Sequence, residues 1–111
     1  MKNDYSYGWE KLHLAMHCLA GHGDQRQRLA NALLVLNVLV ARPEDKYLPE
    51  EIQAEFIEFW KKITSVAARG DEGTIKETVN SLDEMGITHA IEKIIGFYDT
   101  VCRYQKAFNS R

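Results

Sequence analysis

Apolar residues recur at three- and four-residue steps along almost the whole chain, and no stretch alternates apolar and polar positions long enough to read as a strand. The spacing predicts about five helices. The first is expected from about Ser6 to Ala20, with Trp9, Leu12, Met16 and Leu19 on one face and Gly21 where a left-handed residue would close it. Asp24 followed by Gln27 is a capping-box pattern, in which each side chain bonds the other residue's free amide at a helix start. The second helix is therefore expected from there. Beyond Leu29 its apolar residues surround nearly the whole circumference (LANALLVLNVLVA, residues 29–41), which places it at the centre of the assembly. Asn37 is its one polar residue expected inside, read as a core hydrogen bonder or a register pin at an interface.

Arg42-Pro43 is expected to stop that helix, and PEDKYLPEE forms the longest link. Pro49 suits a first helical position, with Glu50 and Glu51 at the positive end of the helix dipole. The third helix should bury Ile52, Phe56, Phe59, Trp60, Ile63 and Ala67 and close at Gly70. Thr74 with Glu77 makes a second capping box for a short helix with Ile75, Val79 and Leu82 inward, ending at Gly86. Thr88 is the expected cap of the last helix, whose inward set is Ile91, Ile94, Ile95, Tyr98, Val101, Cys102 and Phe108. Ile57 and Phe97 fall off the inward centres of their helices, so either another helix covers them or they make a contact between two copies, with a symmetric homodimer as the default. Short connections imply that helices adjacent in sequence pack side by side. The expected fold is all-α: one domain over residues 1–111, a roughly up-and-down bundle of about five helices, four long and one short.

Composition narrows the function classes. A chain of 111 residues has room for one core, and 45% hydrophobic with 27% charged residues is the balance of a folded globular domain. With a net charge of -2 there is no general excess of Lys and Arg to neutralise a phosphate backbone, which disfavours nucleic acid as a partner. The 2 cysteines, far apart, match neither a zinc-ligand pair nor a disulfide framework and suggest reduced thiols in the cytoplasm. MKNDYSYGWEK lacks the apolar stretch of a signal peptide. The longest apolar run, residues 29–41, falls short of the roughly 18–20 residues needed to span a bilayer.

Candidate chemistry begins with LHLAMHCLAGHG. Glu10, His13 and His17 lie at steps of three and four, so they share one helical stripe, as metal ligands on a helix do. Helical plotting puts that stripe toward the polar side of the first helix, and it does the same for Glu55 and Glu58 and for His89 with Glu92. The expectation is solvated side chains, with a Glu58–Lys62 ion pair, and no cofactor. His22 between two glycines reads as a turn residue, while Asp24 would repel an anion at the next helix start. Cys18 and Cys102 read as small core hydrophobes. Helical ribonucleases of the HEPN type need an Arg followed four to six residues later by His, a spacing absent here. All-helical nucleoside-triphosphate pyrophosphohydrolases need Glu-x-x-Glu and a downstream Glu-x-x-Asp, of which only Glu55 and Glu58 occur.

No complete catalytic motif remains, so the expected function is a non-enzymatic protein-interaction module of the inhibitor, immunity or adaptor kind, its partner another protein. Tyr5, Tyr7 and Tyr47 are its candidate anchors, and Arg103 and Lys106 make a basic end on the last helix. Two alternatives stand beside it: a metal-dependent enzyme or metal-binding bundle built on Glu10, His13 and His17, and a small regulator touching nucleic acid through the C-terminal helix.

Overall fold

A computed structural model describes residues 5–41, 47–64 and 71–105. Among these described residues five helices form: α1 (Ser6–Leu19), α2 (Gln25–Leu36), α3 (Glu50–Ile63), α4 (Asp71–Ser81) and α5 (Glu84–Tyr104), with a turn of 3-10 helix at Asn37–Leu39 after α2. The all-α bundle expected from the periodicity is the fold, and the described residues hold no strand. No helix among them is long and apolar enough to cross a membrane.

Helix boundaries follow the caps. Asp24 adopts extended backbone and its Oδ1 accepts the Gln27 amide at 2.9 Å, so the Asp24 half of the expected capping box opens α2. The left-handed residue of the preceding turn is Gly23, at φ 95°, rather than Gly21. Ala20 is the residue that ends α1, its amide bonding carbonyls of the last turn. Pro49 sits one place earlier than expected, as the residue before α3, and its carbonyl accepts the Ile52 amide at 3.0 Å. At the far end α3 stops at Ile63, because Thr64 leaves the helical conformation and turns its hydroxyl back to the Trp60 carbonyl at 2.7 Å. The expected continuation through Ala67 to Gly70 lies outside the described residues, as do the Arg42-Pro43 stop and Phe108.

The α4–α5 junction departs most from expectation. Helix α4 begins at Asp71, which puts Thr74 inside it, and ends at Ser81. Asp83, not Thr88, caps α5 by accepting the Gly86 amide at 2.8 Å. Gly86 therefore stands in the first turn of α5 rather than at the end of α4. A Cβ there would lie 3.2 Å from both the Asp83 carboxylate and a Leu82 methyl, so glycine lets the cap close tightly. With its cap five residues earlier than expected, α5 reaches 21 residues, about 31 Å at the usual helical rise.

Helix α2 is the inner element. Leu29, Ala32, Leu33 and Leu36 are fully buried, and the helix packs against α1, α4 and α5. The apolar circumference is not entirely covered, however, since Leu34 and Val38 point outward. Asn37 is half-buried at the start of the 3-10 turn. Helix α1 pairs with α2 as a hairpin and also lies along α5, whereas α3 rests chiefly on α5 and to a lesser extent on α4. Phe56 and Phe59 of α3 close on Phe97 of α5 with edge-to-face ring centroids 5.3 and 5.6 Å apart. Phe97 is therefore core, covered from within the chain, while Ile95, expected inward, is exposed.

One close approach is invisible in the apolar pattern. Gly8 is buried in α1, and a Cβ on it would overlap the Tyr47 carbonyl oxygen. The segment leading into α3 is thereby pressed onto α1, where Leu48 also lies against Gly8. Gly8→Ala should lower stability by about 1–3 kcal/mol, the usual cost of overpacking, despite alanine's better helix propensity. Chemical denaturation reads this, and an unchanged or raised midpoint refutes the tight contact. Leu33→Ala should cost about 2–5 kcal/mol, against a clearly smaller loss for the partly exposed Leu34→Ala, a contrast that thermal melts of the two variants measure.

Candidate functional site

Two places gather side chains with chemical potential: a polar seam between α1 and α5, and an apolar cleft along α3. The seam is centred on His13. Its ring stacks on Trp9, centroids 4.7 Å apart and planes 16° from parallel. Its Nδ1 lies 3.0 Å from the Tyr98 hydroxyl of α5, and its Nε2 lies 3.2 Å from Nε2 of His17, one turn further along α1. His13 is half-buried and His17 exposed, so the pair sits at the mouth of the seam. The helical plot put this stripe at the rim and surface of α1, and His13 takes the rim position, flanked by Trp9 and Tyr98. Glu10 also behaves as expected: it is exposed. Among the described residues no three His, Cys, Asp or Glu side chains come together as a metal-ligand group.

Tyr98 joins the seam together. Burial holds its phenol above the ordinary value of 10.0, and a hydrogen bond with Cys102 adds to that, while a hydrogen bond from Trp9 works in the opposite sense. Cys102 and Cys18 are free thiols, both half-buried. Tyr98 was legible only as a core residue; the 85-residue separation from His13 hides its polar role from any local pattern.

The cleft is bounded by Leu39, Val40, Tyr47, Leu48, Phe56, Ile57 and Trp60, with Gln53 and Lys61 the polar residues at its wall and a volume of about 240 Å³. Gln53 Oε1 is the one buried side-chain oxygen or nitrogen without a hydrogen-bond partner among the described residues. Such an orphaned acceptor is costly by about 1–3 kcal/mol until a donor reaches it. Ile57, which the helical plot put off the inward centre of α3, lines this cleft rather than a core contact. No sequence signal marks Gln53, since a glutamine flanking an apolar stripe is ordinary.

A second hollow, about 320 Å³ and mixed in polarity, lies between α2 and α4. Arg26 at its edge donates to the Val79 carbonyl at 2.7 Å, so its guanidinium ties α2 to α4. Asp24, also on this hollow, is engaged in capping α2.

The other expected surface residues are drawn into contacts within the chain. Tyr5 meets Tyr104 edge-on at 5.6 Å, and Tyr7 tilts against Tyr47 at 4.7 Å with the Lys11 ammonium over the Tyr7 ring. Arg103 binds Asp99 at 2.7 Å and Thr100 at 3.3 Å on its own helix. Lys106 lies outside the described residues. Glu55 reaches across to Lys93 of α5; among the described residues this and Arg103–Asp99 are the ion pairs, rather than Glu58–Lys62. Glu58, His89 and Glu92 are exposed, as is His22 in the α1–α2 turn. Tyr104 donates to Glu51, and that hydrogen bond raises its phenol above the ordinary value.

The raised Tyr98 phenol fixes the sign of an alkaline effect. The folded state keeps that proton where the unfolded chain releases it, so stability is full below pH 10.0 and falls as pH rises through the folded value. Tyr98→Phe should flatten this alkaline decline in urea titrations between neutral pH and about pH 11. An equally steep decline in the variant removes Tyr98 as its source. No protein-family model, no curated protein and no solved structure matches this chain, so its own side chains are the basis for reading its function.

Proposed function

We propose that this protein is a non-enzymatic interaction module that captures another protein by taking an apolar side chain, one bearing an N–H donor, into the α3 cleft. The observation behind the reading is Gln53 Oε1, a buried acceptor without a hydrogen-bond partner among the described residues, on a side chain that lines a mostly apolar hollow. An apolar guest without a donor would leave that oxygen unsatisfied, whereas an indole N–H would both fill the hollow and complete the hydrogen bond. Size agrees with this choice. A cavity of roughly 150 Å³ holds a benzene-sized guest, so about 240 Å³ suits a two-ring side chain such as tryptophan. Trp60 and Tyr47 supply aromatic walls, the surroundings in which interface anchors contribute most to affinity. Two free cysteines support a reducing, cytoplasmic setting for the encounter.

The test joins a fragment to a partner. Indole titrated into isotopically labelled protein should move the amide resonances of Gln53, Ile57 and Trp60. Naphthalene, of similar size without a donor, should bind several-fold more weakly, and Gln53→Leu should erase that preference, as expected for one neutral hydrogen bond of about 1 kcal/mol. In affinity capture, a stoichiometric partner should be retained by the native chain, displaced by indole and lost from a folded Ile57→Lys variant. Equal retention by both chains, or indole shifts confined to other parts of the molecule, overturns the proposal.

A further inference from the structure

The two imidazoles at the mouth of the α1–α5 seam have the spacing of a chelate. We infer that His13 and His17 bind one late first-row transition-metal dication through their Nε2 atoms, with water in the remaining positions. At metal–nitrogen distances of about 2.0–2.1 Å, two nitrogens on one metal lie about 2.9 Å apart at a right angle and about 3.3 Å apart at the tetrahedral angle. The Nε2 atoms of His13 and His17 are 3.2 Å apart. That separation falls within the span of two nitrogens on one metal, with the ion seated to one side of the line that joins them.

The seam also prepares the ligands. A metal-bound histidine needs a partner on its other ring nitrogen to fix the tautomer and the ring plane. His13 has one: with the proton on Nδ1, it donates to the Tyr98 oxygen at 3.0 Å and leaves the Nε2 lone pair pointing at His17. Trp9 stacks on the same ring, so His13 is held both in plane and in tilt. His17 is exposed, and its proton can move from Nε2 to Nδ1 through water when the metal takes the Nε2 lone pair. Each neutral imidazole keeps one proton throughout, so uptake of the dication requires no redox partner.

Two imidazoles without a thiolate or converging carboxylate select by the ordinary affinity order, in which copper(II) exceeds both nickel(II) and zinc(II). Glu10 shares the stripe but is turned to solvent, and it is not a ligand here. The site is independent of the cleft reading, since none of its residues lines that cleft.

The experiment uses the full chain stripped with chelator and then titrated with copper(II), nickel(II) and zinc(II) chlorides in a calorimeter. One equivalent of copper should bind more tightly than nickel or zinc, and the copper electron paramagnetic resonance spectrum should show coupling to two imidazole nitrogens. His17→Ala, at an exposed position, should retain the native melting temperature and weaken copper binding at least tenfold, with one nitrogen remaining. Tyr98→Phe should weaken binding about tenfold by freeing the His13 ring, while Glu10→Ala, His22→Ala and His89→Ala should bind as the native chain does. Undiminished copper binding by His17→Ala, or a copper spectrum lacking two imidazole nitrogens in the native protein, overturns the inference.

Discussion

The rest of the structure depends on the burial of α2. Leu29, Leu33 and Leu36 lose all contact with water, which requires neighbours on three sides, and α1, α4 and α5 supply them. At the usual 1.5–3 kcal/mol for enclosing a large aliphatic side chain, these three residues outweigh every ion pair at the surface. The shorter elements take their positions from this helix. Helix α4 offers Ile75 and Val79 to the core, and Arg26 of α2 reaches its last turns at the Val79 carbonyl. Helix α3 is secured instead by the contacts of Phe56 and Phe59 with Phe97 of α5.

Two kinds of incomplete burial result, and they suit different chemistry. Where α1 meets α5 the partly covered groups are polar. Trp9, His13 and Tyr98 satisfy one another there, and their hydrogen bonds hold an imidazole pair in one orientation at the water's edge. Where the 47–49 segment turns into α3 the partly covered groups are apolar, and Gln53 is left with an acceptor that the fold does not satisfy. The close passage of residue 47 over Gly8 keeps the cleft's Tyr47 wall against α1. Rigid surroundings matter at both places, since a ligand held by preorganised groups costs less ordering on binding.

Much of the local structure was legible because it is decided within one or two helical turns. The start of α2 follows from Asp24 and its reach to the Gln27 amide, and the inward residues of α1 and α3 follow from their three- and four-residue spacing. The start of α5 was misread because Asp83 caps without a Glu or Gln at the third position, and the glycine found there resembles a helix terminator. Ile95 and Phe97 exchanged their expected environments for a different reason. A helix touched on more than one side by α1, α2 and α3 has no single inward centre, so one helical projection cannot rank its residues.

By itself the sequence determined that the chain is helical, where most of its turns fall, which aliphatic residues seek the interior, and that His13 and His17 share a stripe. Periodicity and capping act over a few residues, and the chain order specifies them directly. Only the tertiary structure decided that Tyr98 comes to His13, that Phe97 closes on α3, that Tyr47 lies over Gly8, and that Gln53 faces an apolar hollow. Those contacts join residues dozens of positions apart, and their geometry depends on how several helices share one core.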